Sequence, residues 1–358
     1  MNKICVFTGG NDKYFGLIND LINSIRHINK IIKIGIIDGG LSQENTRILK
    51  EKNCHIIKYN KLDHIITDKK SKINILRLWL DVLAEENNIN ATTLIWLDAD
   101  TWIQNNEIFH ICHQICLKDK LGIKSQSSRY DTKTIQYKKI LPFKTYSLFF
   151  LRNILYKNTK TIPLSSNEIT KLEAVATLNS GVFCLHAKSK SWEIIRNRQK
   201  YIIDNGGNLF SSDQLSIGYA VYLDDIEYEL LPDYCNYFFS YKIRWNEKIN
   251  KFVEYYPPYN EISVLHYCGL TKFTKNWTLK KMHTLTDQYI EKDISFKNKE
   301  KNFMKIDNDV TESIIEIKNH KSLINFIFNP ITYKYLFYFT LCLLFFYLPI
   351  CFKSYIIY

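Results

Sequence analysis

At 358 residues, with 46% hydrophobic and 14% aromatic content, the chain carries enough apolar material for one large core or two smaller ones, which excludes disorder as its general state. Lys and Arg exceed Asp and Glu by 48 − 36 = 12, a surplus that favours an anionic partner such as a nucleotide diphosphate or an acidic membrane surface. Nucleic acid is not expected, because no recognised motif and no basic helix with interleaved aromatics accompanies that charge.

The N-terminus, MNKICVFTGG, has no basic region followed by an apolar run and a small-residue cleavage site, so no secretory signal is expected. Apolar runs at Ile4 to Phe7, Ile34 to Ile37, His55 to Tyr59 and Thr93 to Leu97 predict strands. Helical spacing fills the intervals. In Tyr14 to Ile28, the apolar residues Phe15, Leu17, Ile18, Leu21, Ile22, Ile25 and Ile28 share one face, and Ser42 to Lys52 and Ile73 to Glu86 follow the same pattern. Strand and helix in alternation predict a parallel sheet with right-handed crossovers, a Rossmann-like half. Thr8, Gly9 and Gly10 close the first strand, where a backbone without side chains admits a ligand closely; a plain turn explains them equally well. Neither GxGxxG nor a phosphate-loop pattern is present, which counts against a dinucleotide dehydrogenase or an ATPase.

The fourth strand ends abruptly in Asp98, Ala99 and Asp100. Two carboxylates at i and i+2, where a buried strand runs out into solvent, suit a hard divalent cation that also takes phosphate oxygens. In open α/β sheets ligands bind beyond the carboxyl ends of the strands, so these acids stand at the mouth of a cleft. Next come His110, Cys112, His113 and Cys116, residue types that bind zinc but without a second pair at finger spacing; they read as one side of a helix. Nine cysteines scattered singly predict free thiols in a reducing compartment.

Tyr130 to Asn167 lacks clear periodicity and reads as an insertion over the acceptor side of the cleft. Strand texture resumes at Leu178 to His186, and helical texture at Lys190 to Asn205 and Ser211 to Tyr222. The domain plan is a catalytic domain over 1–285, a polar linker or surface helix over 286–330 and a hydrophobic segment over 331–358. Within the last, Tyr335 to Phe352 is free of charge and flanked by Lys334 and Lys353, close to the length of about 20 residues that a spanning helix needs. It predicts membrane association at the cytoplasmic face, spanning the bilayer or lying in one leaflet.

Four motifs stand in order: DADTW at Asp98 to Trp102, NSGVF at Asn179 to Phe183, Asp213 with Gln214, and HYCGLTK at His266 to Lys272. Together they resemble the GT-A glycosyltransferases, specifically the family 8 group that includes glycogenin and bacterial lipopolysaccharide galactosyl- and glucosyltransferases. The resemblance covers roughly residues 1 to 280. It implies an α/β GT-A fold, here followed by a C-terminal hydrophobic helix, and Mn²⁺ or Mg²⁺ held by Asp98, Asp100 and His266. Donor binding is implied for Thr8, Gly9, Lys72, Arg77, Asp98, Asn179, Ser180, Gly181, Gly269 and Lys272, with Ser71 beside Lys72 at the start of the basic helix. Asp213 and Gln214 match the pair near the transferred sugar and are the implied catalytic residues. One departure is visible: Phe273, Thr274, Lys275 and Asn276 intervene before Trp277, where the family places Pro and Trp straight after the motif lysine.

The expectation is therefore a metal-dependent hexosyltransferase acting on a nucleotide-diphosphate sugar, expected to be a UDP-sugar. The acceptor would be a glycan or lipid-linked sugar in surface polysaccharide or lipopolysaccharide synthesis, with retention at the anomeric carbon. Two alternatives belong beside it. A sugar-phosphate nucleotidyltransferase also uses strand-end acids, but carries an N-terminal glycine-rich signature that Thr8 to Lys13 does not supply. A membrane-bound protein of the same fold that binds nucleotide sugars without turnover is the other.

Overall fold

The apolar runs of the N-terminal third become strands β1 (Ile4–Gly10), β2 (Lys33–Asp38), β3 (His55–Ile57) and β4 (Thr93–Leu97). Between them lie helices α1 (Phe15–Ile28), α2 (Gln43–Glu51), α3 (Lys72–Leu76) and α4 (Leu80–Glu86). The structure is a computed structural model that describes residues 3–59, 62, 72–130, 135–140, 144–149, 155, 158, 162–173, 175–206, 212–269, 278–296 and 304–305. After β4 come β5 (Thr101–Ile103), α5 (Glu107–Leu117), β6 (Leu121–Ser125), β7 (Ile135–Ile140), β8 (Lys144–Phe149), α6 (Ser166–Leu172), β9 (Leu178–His186), α7 (Ser191–Asp204) and α8 (Ser212–Leu223). The remaining strands are β10 (Tyr228–Leu230), β11 (Tyr237–Phe238), β12 (Ile243–Asn246), β13 (Lys251–Glu254), β14 (Val264–His266), β15 (Leu279–Thr284), β16 (Tyr289–Asp293) and β17 (Met304–Lys305).

Seven strands form the main sheet, in the order β10-β6-β9-β4-β1-β2-β3. The chain leaves β1 towards β2 and β3, then returns to place β4 on the other side of β1, with all four parallel. The carboxyl ends of β1 and β4 therefore flank the point where the connection reverses, which is where an open α/β sheet leaves a crevice. The alternation of elements predicts a parallel sheet, but the observed sheet is mixed. Strand β9 runs antiparallel to both β4 and β6. That reversal matters for the site, because the start of β9 then lies beside the end of β4, with Val182 opposite Leu97.

Alternate residues of the central strands enter different cores. Val6, Ile36, Ile95 and Cys184 pack on one face with Ile18, Leu21 and Phe109 from α1 and α5. Phe7, Ile37, Trp96 and Phe183 pack on the other with Leu80, Leu83, Trp192 and Ile217 from α4, α7 and α8. Both faces are covered, so these strands read as continuous apolar runs rather than as alternations. A third, aromatic core of Trp102, Tyr237, Tyr241, Trp245 and Phe252 lies under the small sheets. In these, β14 bridges β11 and β5, and β13, β12, β15 and β16 lie side by side.

Three differences from the sequence reading have physical causes. The helix expected over Ile73 to Glu86 tightens into a 3₁₀ turn at Arg77–Trp79 between α3 and α4, which turns both Arg77 and Leu78 into the interior. Part of Tyr130 to Asn167 is the antiparallel hairpin β7–β8, in which Tyr137 faces Ser147; lysines interspersed among its β-forming residues hide it from a periodicity count. Residues 289–293, assigned from sequence to the start of a polar linker, form β16, whose Ile290 and Lys292 are buried. Ser71, Lys272 and the hydrophobic segment 331–358 lie outside the described residues. Among the described residues no helix is long and apolar enough to cross a membrane.

Candidate functional site

Strand β4 ends because its backbone leaves the sheet at Asp98. The Asp98 N–H donates to the Gly181 carbonyl across to β9 (2.8 Å), and the Asp98 carbonyl accepts from Thr101 N–H (3.0 Å), closing a turn. The chain re-enters a strand as β5, antiparallel to β14, so Thr101 stands opposite His266. The Asp100 carbonyl accepts from Tyr267 N–H at 2.8 Å. Backbone pairing of residues more than 160 apart in sequence thus brings His266 to the two acids. His266 Nε2 lies 3.9 Å from Asp98 Oδ2 and 3.5 Å from Asp100 Oδ1.

One ligand atom from each of the three residues falls within 4.8 Å of the others. Ligands around a common Mg²⁺ or similar ion at bond lengths of roughly 2.0–2.6 Å are separated by about 3–5 Å, so this donor set fits a small divalent cation. Two carboxylates and an imidazole also suit Mn²⁺ or Mg²⁺ in chemistry, the nitrogen favouring Mn²⁺. Among the described residues this is the one His, Cys, Asp and Glu group with metal-binding geometry. The His110 to Cys116 group is not such a centre. Cys112 and Cys116 are buried core thiols on α5, while His113 Nδ1 pairs with Thr93 Oγ1 at 2.8 Å. The seven described cysteines are all free thiols.

Beside the acids is a second buried cluster. Arg77 Nη1 lies 3.0 Å from Asp98 Oδ1 and 3.1 Å from Asp213 Oδ2, tying the end of β4 to the start of α8. Asp213 Oδ2 also accepts from Ser180 Oγ at 2.5 Å, and Asp98 Oδ1 from Trp96 Nε1 at 2.7 Å. The guanidinium rests over the Trp96 ring, 4.9 Å from its centroid. Trp96 and Asp98 share one side of the strand because residues two apart point the same way. Asp98 thus spends one oxygen on Arg77 and Trp96, and turns the other towards His266. Gly181 leaves the room this requires: a Cβ there would sit 2.3 Å from His266 Cε1 and 3.0 Å from Asp98 Oδ2.

The remaining sequence-predicted residues distribute as follows. Asn179, Ser180 and Gly181 enter the site at the start of β9. Thr8 and Gly9 lie within β1, just before its last residue, and not in a turn; a Cβ on Gly9 would meet the Ile37 carbonyl at 2.7 Å. The Thr8 hydroxyl is buried without a hydrogen-bond partner among the described residues. Lys72 Nζ donates to the Asp38 carbonyl (3.1 Å) and pairs with the Tyr59 hydroxyl, towards the β2–β3 side. Gln214 Nε2 is buried with no hydrogen-bond partner among the described residues, an open donor next to Asp213. Gly269 takes φ +107, a left-handed conformation that turns the chain after β14 and that other residues adopt at a cost. Three contributors escape the sequence reading: Trp96, Asn236 and Phe238, which packs edge-on to the His266 ring at 5.6 Å. Trp96 was visible only as a strand residue, and a lone Asn236 in YCNYFF carries no motif.

Burial raises the Asp98 pKa above the ordinary carboxylate value; Arg77 opposes the shift and Asp100 adds to it. For His266 burial works against the proton, but the Cys268 sulfur and the Asp100 carboxylate outweigh it and hold the imidazole well above the ordinary histidine value. Arg77 keeps its charge: burial disfavours it, and Asp213, Asp98 and Asp100 more than compensate. A metal must therefore displace a proton from His266. Mn²⁺ affinity is expected to rise with pH by about tenfold per unit below the His266 pKa and to level off above it. Mn²⁺ titrations across a pH series check this, and an affinity flat in pH would remove His266 from the ligand set.

No protein-family profile matches the chain, and no curated protein is a significant match. Among solved structures, it is similar to the galactosyltransferase LgtC in complex with donor and acceptor sugar analogs, at 14% identity and TM-score 0.45, over 76% of this chain and 91% of that one. The bifunctional glycosyltransferase WbbM is similar at 13% identity and TM-score 0.46, over 75% of this chain and 46% of that one. For the glycosyltransferase GlyE of Streptococcus pneumoniae the values are 15% and 0.44, over 76% and 56%. Residue roles do not transfer at such values.

Proposed function

We propose that this chain is a metal-dependent glycosyltransferase of GT-A type that moves a hexose from a nucleotide-diphosphate sugar, a UDP-sugar first among them, to a glycan or lipid-linked acceptor. The observation that carries the reading is the convergence of Asp98, Asp100 and His266 at the carboxyl end of β4, beside the sheet's reversal point. The four ordered sequence motifs support it, since all four contribute residues to that cluster.

Breaking a sugar–phosphate bond leaves charge on the departing diphosphate, and a divalent ion held by Asp98, Asp100 and His266 would supply electrostatic stabilisation of that charge. The chain's own residues do the positioning. Arg77 fixes Asp98 and Asp213 relative to each other, so the metal-binding acid and the acid nearest the transferred sugar keep one spacing. Asp213, held by Ser180 and Arg77, presents a carboxylate for a sugar hydroxyl, and the open Gln214 amide is a donor for another. Gly181 leaves the room that His266 and Asp98 fill beside the cleft, and Gly9 lets β1 lie close against Ile37 of β2. Lys272, adjoining the described end of the His266 motif, is assigned to the diphosphate by sequence resemblance alone. Retention at the anomeric carbon is part of the proposal, as is attachment to the cytoplasmic face of a membrane through the segment 331–358.

The test is a panel of nucleotide sugars offered to the detergent-solubilised full chain with Mn²⁺, reading release of free nucleoside diphosphate with and without chelator. Chelator-sensitive release from one donor is expected. Binding without release across acceptors would favour a retired catalyst, and no binding to any donor would refute the transferase reading. On anionic vesicles, the full chain should co-sediment and a chain lacking 335–358 should stay in solution.

A further inference from the structure

Asn236 belongs to none of the sequence motifs, yet it is fully buried and ends a chain of hydrogen bonds that reaches the metal-binding group. The chain begins at a backbone N–H, whose chemistry is fixed. Gly181 N–H donates to Asn179 Oδ1 at 3.1 Å, so that atom must be the amide oxygen. The same oxygen lies 2.9 Å from Asn236, which must therefore turn its NH₂ towards it. The other end of the Asn236 amide is then its oxygen, 2.8 Å from His266 Nδ1. An oxygen there accepts only if Nδ1 carries a proton. In the neutral ring the lone pair is left on Nε2, the atom that faces Asp98 and Asp100.

We propose that Asn236 is a positioning residue: through Asn179 and the Gly181 N–H it fixes His266 as the Nδ1–H form, with Nε2 aimed at the cation. The inference rests on the metal-site reading of Asp98, Asp100 and His266. The site offers the ring little other choice. Phe238 packs against it edge-on, and the absent Cβ of Gly181 is what lets Cε1 approach β9. Packing restricts the ring plane, and the amide decides which nitrogen is open. Outer partners of this kind commonly tune metal affinity by about 10–100-fold.

The variants Asn236→Leu and Asn236→Asp separate packing from hydrogen bonding. Leucine keeps the bulk and removes the acceptor; aspartate, protonated on the oxygen that faces Asn179 Oδ1, keeps that donor and an oxygen for the Nδ1 proton. Mn²⁺ affinity, read by electron paramagnetic resonance on the full chain, should fall about 10–100-fold in Asn236→Leu and be largely restored in Asn236→Asp. Equal affinity in wild type and Asn236→Leu overturns the proposal while leaving the metal site intact. Absence of Mn²⁺ binding in the wild type overturns both. Should the leucine variant fail to fold, the wild type alone decides. In protein labelled with ¹⁵N-histidine, the histidine signal that Mn²⁺ broadens most strongly identifies His266. In the metal-free protein at alkaline pH that signal should be the Nδ1–H form, and an Nε2–H signal would refute the proposal.

Discussion

Asp100→Asn is expected to cut metal-dependent turnover of a nucleotide sugar by on the order of 10²–10³-fold, the range seen when one preorganised charge-stabilising group is lost, with the fold unchanged. The separation of effects follows from how the residue is held. Its main-chain carbonyl accepts from Tyr267 N–H, and an amide side chain leaves this untouched. Its carboxylate faces His266 at 3.5 Å, so the substitution removes an anionic ligand and the negative neighbour that favours a proton on the ring. Asp98→Asn is a poorer test. It would also loosen Arg77 and Trp96, and breaking a largely buried ion pair costs about 3–5 kcal/mol. Turnover, Mn²⁺ affinity and thermal unfolding of Asp100→Asn decide the matter together. Wild-type turnover would remove Asp100 from the metal site.

The legible part of this molecule is the part written in local pattern. Thr93–Leu97 and Leu178–His186 have the strand bounds the sequence predicts, because each carries an apolar run of β-forming residues, Leu94 to Leu97 in one and Val182 to Leu185 in the other. Asp98 and Asp100 declare themselves because charge at the end of such a run has no place in a core. The direction of β9 is different. No residue within LNSGVFCLH tells parallel from antiparallel pairing, since both its faces are buried either way. Arg77 was readable as a basic residue on a helix facing the site, but not as the bridge between Asp98 and Asp213, which depends on a 3₁₀ turn and on contacts 21 and 136 residues away in the chain. Asn236 was illegible for the same reason in stronger form. Its importance comes entirely from partners on β9 and β14, brought together by sheet pairing.

Gly181→Ala should abolish tight metal binding although it adds one methyl group. Gly181 does not take a positive φ, so backbone strain is not the cause; proximity is. The added carbon would lie 2.3 Å from His266 Cε1, 3.0 Å from Asp98 Oδ2 and 3.0 Å from Asn179 Oδ1. Strand β9 cannot retreat, because it is paired with β4 and β6 and its Gly181 carbonyl accepts from Asp98 N–H. The imidazole must move instead, against Phe238 and away from Asn236. Overpacking of this kind costs about 1–3 kcal/mol, which a domain of this size survives. A second glycine supplies the control. On Gly122, in β6 of the same sheet, a Cβ would meet Cys184 Sγ at 2.5 Å, in a core away from the acids. Gly122→Ala should destabilise comparably and keep its Mn²⁺ affinity, whereas Gly181→Ala should lose more than about tenfold of it, as expected when a ligand is displaced. If both variants lost metal in proportion to their melting temperatures, His266 would be responding to the state of the whole sheet and not to the space that Gly181 leaves open.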